Sequence, residues 1–178
     1  TLMTARRSGW MRRAKALRPS AFQVVLPDWF VPSWPEIKNF LEVMAAEAAL
    51  DGVDRESLDH IIVAHNFGDV NADSLRLDTV PTLAARVKHR LRIKNPYTVA
   101  LDLPFGCPGW LQGVILADYF IKSGDAKKVL VIGSESLARV ADPHDMDCMI
   151  YSDGAGATLL EATSADAGIL SHIARSDT

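Results

Sequence analysis

The sequence predicts an α/β fold with a largely parallel sheet. Three observations carry that prediction. Short apolar runs centred on Ile61-Ile62-Val63 and Val129-Leu130-Val131-Ile132 have the length and β-branched content of strands buried on both faces. Other segments repeat their apolar residues at 3.6 spacing, the period of a helix with one face inward. The two kinds of segment alternate along the chain, as strands joined by helical crossovers do. The 178 residues are 48% hydrophobic and 23% charged, enough for a core and unlike a disordered tail. No run approaches the roughly 18 apolar residues of a membrane span. With 11 Gly and 9 Pro the chain is not low-complexity, and two cysteines, Cys107 and Cys148, are too few for a disulfide scaffold. These features lead us to expect free thiols and a cytoplasmic setting, with no signal peptide visible.

Residues 1–34 read as a basic, irregular N-terminal segment, and 35–178 as the α/β unit. Residues 1–18 hold six basic side chains and no acid, so the net charge of −3 divides into +6 there and −9 elsewhere. A solvated arm is the plain reading, since Trp10 alone does not make the aromatic interleaving of a nucleic-acid binder. Pro19 stops an early helix, and a short extended piece is expected over 22–26. Ser33 and Glu36 then form a capping-box pair for a helix over about 35–50. Its expected inner face is Ile37, Phe40, Leu41, Met44, Ala45 and Ala48. A strand follows at 58–65, a polar loop at 66–79, a helix at 81–91 with a basic outer face, and a strand at 97–103. The helix expected over 108–123 is apolar around nearly its whole circumference, which reads as buried on all sides. The strand over 128–133 comes next. Short strands at 149–151 and 157–160 flank a tight turn at Ser152-Asp153-Gly154-Ala155-Gly156, and a last strand covers 168–174.

Cys107 is the residue most suggestive of chemistry. It stands where a strand hands over to the apolar helix, with Pro108 suited to the first helical position. As cap residue its sulfur would face the free N–H groups and the positive end of the helix dipole, which favour thiolate. Gly106 and Gly109 leave room for a substrate carbonyl beside it, and its own backbone N–H would help hold an oxyanion. From the residues alone, this nucleophile and a buried structural cysteine both stand open. Cys148 reads as structural. None of His60, His65, His89, His144 or His172 is placed as a base for Cys107. No metal site is expected.

The ordered motifs are Asp59-His60-Ile61-Ile62-Val63-Ala64, Val80-Pro81-Thr82, Gly106-Cys107-Pro108-Gly109-Trp110, Ile121-Lys122-Ser123-Gly124, Val129 through Glu135, and Asp153-Gly154-Ala155-Gly156-Ala157. Together they resemble 3-oxoacyl-acyl-carrier-protein synthase III, a thiolase-fold family, over about residues 36–162. The resemblance implies a thiolase-like half-domain with a mostly parallel, five-stranded mixed sheet and a buried helix starting at a nucleophilic Cys107. It implies that Cys107 accepts an acyl group from a coenzyme A or carrier-protein thioester. A malonyl thioester then loses carbon dioxide and its carbanion attacks the acyl carbon. Val80 takes the position that lines the acyl pocket of the partner in a homodimer, and its small size implies room for more than a two-carbon acyl group. No tightly bound cofactor, nucleic acid or membrane span is implied.

The chain departs from the family pattern in three places. The family's catalytic His and Asn belong to a C-terminal half for which nothing here matches, so the chain alone is expected to be inactive. Trp10 with Arg12 and Arg13 is only a loose counterpart of the segment that holds coenzyme A, and Met146 stands where coenzyme A users often carry Arg. Basic residues of the 81–91 helix offer a face to an acidic carrier protein, though a solvated face is the plainer account. Other readings are a thiolase or a hydroxymethylglutaryl-coenzyme A synthase-like enzyme, a non-catalytic thiolase-like assembly subunit, and a cysteine hydrolase. The hydrolase would conscript Asp142 or Asp153 with His172, but Phe105 stands where its nucleophile turn needs Gly.

Overall fold

The computed structural model describes residues 37–70, 76–142, 144–165 and 168–177, and the backbone of 13–20. Among these described residues, seven strands and three α-helices run in the order β1 (Arg13–Ser20), α1 (Ile37–Ala49), β2 (His60–His65), β3 (Asp69–Val70), β4 (Leu77–Asp78), α2 (Leu83–Arg90), β5 (Val99–Pro104), α3 (Gly109–Ser123), β6 (Lys128–Glu135) and β7 (Gly154–Thr163). Five strands form one sheet in the order β1-β7-β6-β2-β5, and β3 pairs with β4 in a small separate ribbon.

The two apolar runs split by alternation, because successive strand residues face opposite sides. Ile61, Val63, Leu130 and Ile132 point to a core shared with Ala45, Ala46 and Ala49 of α1 and Leu83, Ala84 and Val87 of α2. Ile62, Val129 and Val131 point the other way, toward Ala117 and Ile121 of α3. The result is three layers: α1 and α2, the sheet, and α3. β2 lies between β5 and β6 and pairs parallel with both. Travel along the sheet therefore reverses at β5, and right-handed crossovers then require α2 and α3 on opposite faces. The C-terminal ends of β2, β5 and β6 share one rim, as expected. β7 runs antiparallel to β6 and starts at that rim, with Gly154 opposite Glu135.

Several expectations are corrected. The sheet is mixed in equal measure, two parallel pairings and two antiparallel ones. Arg13–Ser20, read as part of an irregular arm, is an edge strand pairing antiparallel with β7 from Arg13–Thr163 to Ser20–Ala157. The capping box at Ser33 and Glu36 and the extended piece at 22–26 lie outside the described residues. The loop at 66–79 contains the β3–β4 ribbon. α2 starts after Thr82, whose hydroxyl accepts the Ala85 N–H at 3.1 Å, and its basic face is largely engaged: Arg86 meets Asp78 at 2.7 Å and Lys88 donates to the Thr98 carbonyl at 2.7 Å.

The 149–151 strand is instead the end of a 3₁₀ turn over Met146–Ile150, and Gly154-Ala155-Gly156 is the first part of β7 rather than a tight turn. Strand pairing with residues 133–135 holds those glycines extended. The last strand expected over 168–174 is irregular chain, its His172 Nε2 set 3.0 Å from Asp118 of α3. α3 is buried on one face only. Gly109, Gly113, Ile115, Ala117, Asp118 and Ile121 are buried, while Trp110, Leu111 and Tyr119 are exposed, because α3 lies on one side of the sheet and no described element covers its outer side.

α3 sits close to the sheet because residue 113 has no side chain. A Cβ there would come within 2.8 Å of Val131 Cγ1, and Val131 is fully buried. Gly113→Ala should therefore destabilise the fold by about 1–3 kcal/mol. In an uncrowded helix the same change would stabilise by about 1 kcal/mol. Urea unfolding measures the sign.

Candidate functional site

The chain leaves β5 and enters α3 through residues 105–108. Phe105 still donates its N–H to the His65 carbonyl at 3.1 Å, holding the exit of β5 against β2. Gly106 has φ +82°, a left-handed conformation that suits glycine. The Gly109 N–H closes back on the Gly106 carbonyl at 2.9 Å. That turn delays the helix by one residue. Pro108, not Cys107, is the cap residue, and Cys107 stands just before it. Cys107 is exposed and lines a pocket of about 440 Å³.

Three strand ends and one loop build this pocket. Ala64, His65 and Asn66 come from the end of β2, Gly133, Ser134 and Glu135 from the end of β6, and Gly106, Cys107 and Trp110 from the β5–α3 handover. Leu137 and residues 150–156 form the remaining wall. Gly106 is thus in the pocket. Gly109 is not: it is buried, with its missing side chain toward Ala64 and Phe105, and so serves packing of α3 on β2 rather than substrate approach. Val80 is 83% exposed and does not line the pocket of its own chain. Cys148 is half-buried in the 3₁₀ turn, and Met146 beside it is exposed.

Of the 5 histidines only His65 lines the pocket. Its Nδ1 accepts the Gly68 N–H at 2.8 Å, which puts the ring proton on Nε2. Nε2 lies 3.1 Å from Asp102 Oδ2, off the line of a good hydrogen bond. Both ring nitrogens thus face structural partners, leaving neither for the thiol. Asp102 in turn accepts the Leu83 and Ala84 N–H groups at 2.8 Å each, anchoring the start of α2. Burial works to raise the Asp102 pKa, but His65 and those two N–H groups outweigh it and hold the carboxyl below its usual range. The hydrolase triad does not assemble. His172 is paired with Asp118, Asp142 binds His144 on the surface, and Asp153 accepts the Ala138 N–H.

Under the pocket lie charges that the sequence reading missed. Lys38 and Glu42, one turn apart on α1, are fully buried. Lys38 Nζ donates to Glu135 Oε1 at 2.7 Å and to the Gly68 carbonyl at 2.8 Å. Glu42 Oε1 accepts from the Ser134 hydroxyl at 2.5 Å, and its Oε2 accepts from Asn39 Nδ2 at 3.2 Å. Burial pushes the Glu42 carboxyl up to about 7, against the opposing pull of Ser134, Asn39 and Lys38. The available signal was a polar pair set inside an apolar stripe: Lys38 and Glu42 share helical spacing with buried Ala45 and Ala49. Phe40, Met44 and Ala48, assigned to the inner face, are only half-buried.

Known proteins bear on this geometry. Residues 101–178 match the model of the 3-oxoacyl-[acyl-carrier-protein (ACP)] synthase III family. A beta-ketoacyl-[acyl-carrier-protein] synthase III of Ehrlichia canis is 38% identical over 146 residues, covering 80% of this chain and 43% of that protein. Its counterpart in Bradyrhizobium diazoefficiens is 36% identical over 151 residues, with the same coverage of each. Over most of its length the chain is similar to 3-oxoacyl-[acyl-carrier-protein] synthase III proteins. The crystal structure of the Aquifex aeolicus synthase III overlays with TM-score 0.62 and 32% identity, covering 74% of this chain and 41% of that one. The thiolase-like α/β fold expected from the sequence is therefore correct. The chain spans under half the length of the curated synthase III relatives it matches.

Glu42 gives the site a pH signature. An acid whose folded pKa is raised contributes its stability below the unfolded value, here 4.5, and loses it as pH rises through about 7. The loss is on the order of 3 kcal/mol at 1.4 kcal/mol per tenfold change. Urea unfolding at pH 5 and pH 8 should show wild type losing stability with pH by more than Glu42→Gln does. Equal pH slopes for the two proteins would contradict the assignment.

Proposed function

We propose that this chain supplies the acyl-accepting half of a decarboxylative condensing enzyme, with Cys107 as nucleophile. One observation carries this: the Cys107 side chain is exposed into a pocket at the rim where three parallel strands end and α3 begins. That rim is where α/β sheets place their ligands. The sulfur attacks the carbonyl carbon of an acyl thioester, a new C–S bond forms, and the donor leaves as a thiol with the proton from Cys107. A malonyl thioester then loses carbon dioxide. Its carbanion attacks the acyl carbon, and the Cys107 sulfur departs with the electron pair of the broken C–S bond. On this reading the backbone N–H of Cys107 stabilises the oxyanion of each tetrahedral intermediate.

The substrates on this reading are coenzyme A or acyl-carrier-protein thioesters. A C-terminal half, from the same gene or a second chain, adds the His and Asn needed for decarboxylation. Among the described residues no helix is long and apolar enough to cross a membrane. On this reading the protein works in the cytoplasm. A homodimer gives exposed Val80 its role in the partner's acyl pocket.

Two experiments test the reading on the full-length protein. Iodoacetamide near neutral pH should label Cys107 at least tenfold faster than Cys148, and an acyl thioester should add one acyl group by intact mass, lost in Cys107→Ala. Labelling of Cys107 no faster than Cys148, with no acyl adduct, means a structural cysteine and a non-catalytic subunit. Val80→Phe should narrow the accepted acyl groups toward two carbons, read as relative condensation rates across chain lengths. Unchanged rates for longer chains would remove Val80 from the pocket.

A further inference from the structure

We infer that Lys38 is a positioning residue for the Cys107 pocket, fixing the 66–68 turn and the end of β6 against each other. This rests on Cys107 being the acylated residue. Lys38 is fully buried, and an ammonium is too costly to bury unless its partners are held in place. Its partners come from two separate strand ends. The Gly68 carbonyl belongs to the turn after β2, at 2.8 Å, and Glu135 is the last residue of β6, at 2.7 Å. The Phe67 ring lies 4.8 Å from Nζ and covers it. The other oxygen of Glu135 accepts the Asn66 N–H at 3.0 Å. Lys38, Glu135, Asn66 and Gly68 thus close a ring of contacts around one turn.

That ring touches the pocket twice. Glu135 and Asn66 both line it. Asn66 Oδ1 lies 3.4 Å from where a Cβ on Gly106 would sit, against the residue that precedes Cys107. A charge on α1 therefore acts on the nucleophile turn through Glu135 and Asn66, without meeting substrate itself. For packing alone, an apolar side chain of similar length would serve.

The test uses the full-length protein with four variants: Lys38→Met, Lys38→Arg, Glu135→Gln and the double Lys38→Met/Glu135→Gln. Single-turnover acylation of Cys107, followed by intact mass, should slow at least tenfold in Lys38→Met and Glu135→Gln. The double variant should be no slower than the worse single, because both changes break one unit. Lys38→Arg should recover part of the rate. Alkylation of Cys148 should not change. Amide exchange over 66–68 should quicken in both single variants. Should Lys38→Met be folded, less heat-stable, yet within twofold of wild type in acylation, Lys38 is structural and the inference is overturned. Should Lys38→Met not fold, Glu135→Gln and Lys38→Arg decide by the same readouts. Should wild type take no acyl group, the proposed function fails and the inference resting on it falls with it, an outcome distinct from loss of the Lys38 effect in an acylating wild type.

Discussion

Everything at the rim follows from how sharply the chain turns after β5. Four residues separate the end of a strand from the start of a helix on the opposite face from α2. Gly106 takes the positive φ, the Gly109 N–H closes on its carbonyl, and Cys107 is left at the outer side of the bend, exposed. β2, the parallel neighbour of β5, and β6 beyond it end at the same rim, and right-handed crossovers fix the side on which each helix returns. A nucleophile at this point inherits a pocket from the topology itself.

Two residues that line that pocket, Ser134 and Glu135, are held from beneath by charges buried on α1. A buried ammonium and a buried carboxyl on α1 would each oppose folding if left alone. They persist because β6 ends in Ser134 and Glu135, one partner for each. The groups are mutually dependent, so removing one partner exposes the cost of the other. Such arrangements restrict how the strand end can move.

The parts of the fold legible in the sequence were those written in local pattern. The Ile61–Val63 and Val129–Ile132 runs, the 3.6 periodicity of α2, and the strand-to-helix handover at Cys107 needed only their near neighbours to be read. What escaped depended on distant partners. β1 carries Pro19 and several basic residues, and nothing local marks it as a strand; its pairing with β7 decides the matter. The run Ser152 to Gly156 has the composition of a turn, but β6 holds its glycines extended. Lys38 and Glu42 look like solvent-facing charges until their partners on β6 are known. α3 looked buried all round because composition does not say how many sides of a helix have neighbours.

The pairing of β1 with β7 has a consequence for the order of events in biosynthesis. Arg13 faces Thr163, so 150 residues separate the two sides of one ladder. A ribosome delivers the first of these strands long before the second exists. Until then β1 must remain unpaired, or be held by something else, while the parallel heart of the sheet assembles from segments much nearer in sequence. Closure of so long a loop costs entropy that only the finished sheet returns. Of the strands in this sheet, β1 is thus made early and docked late.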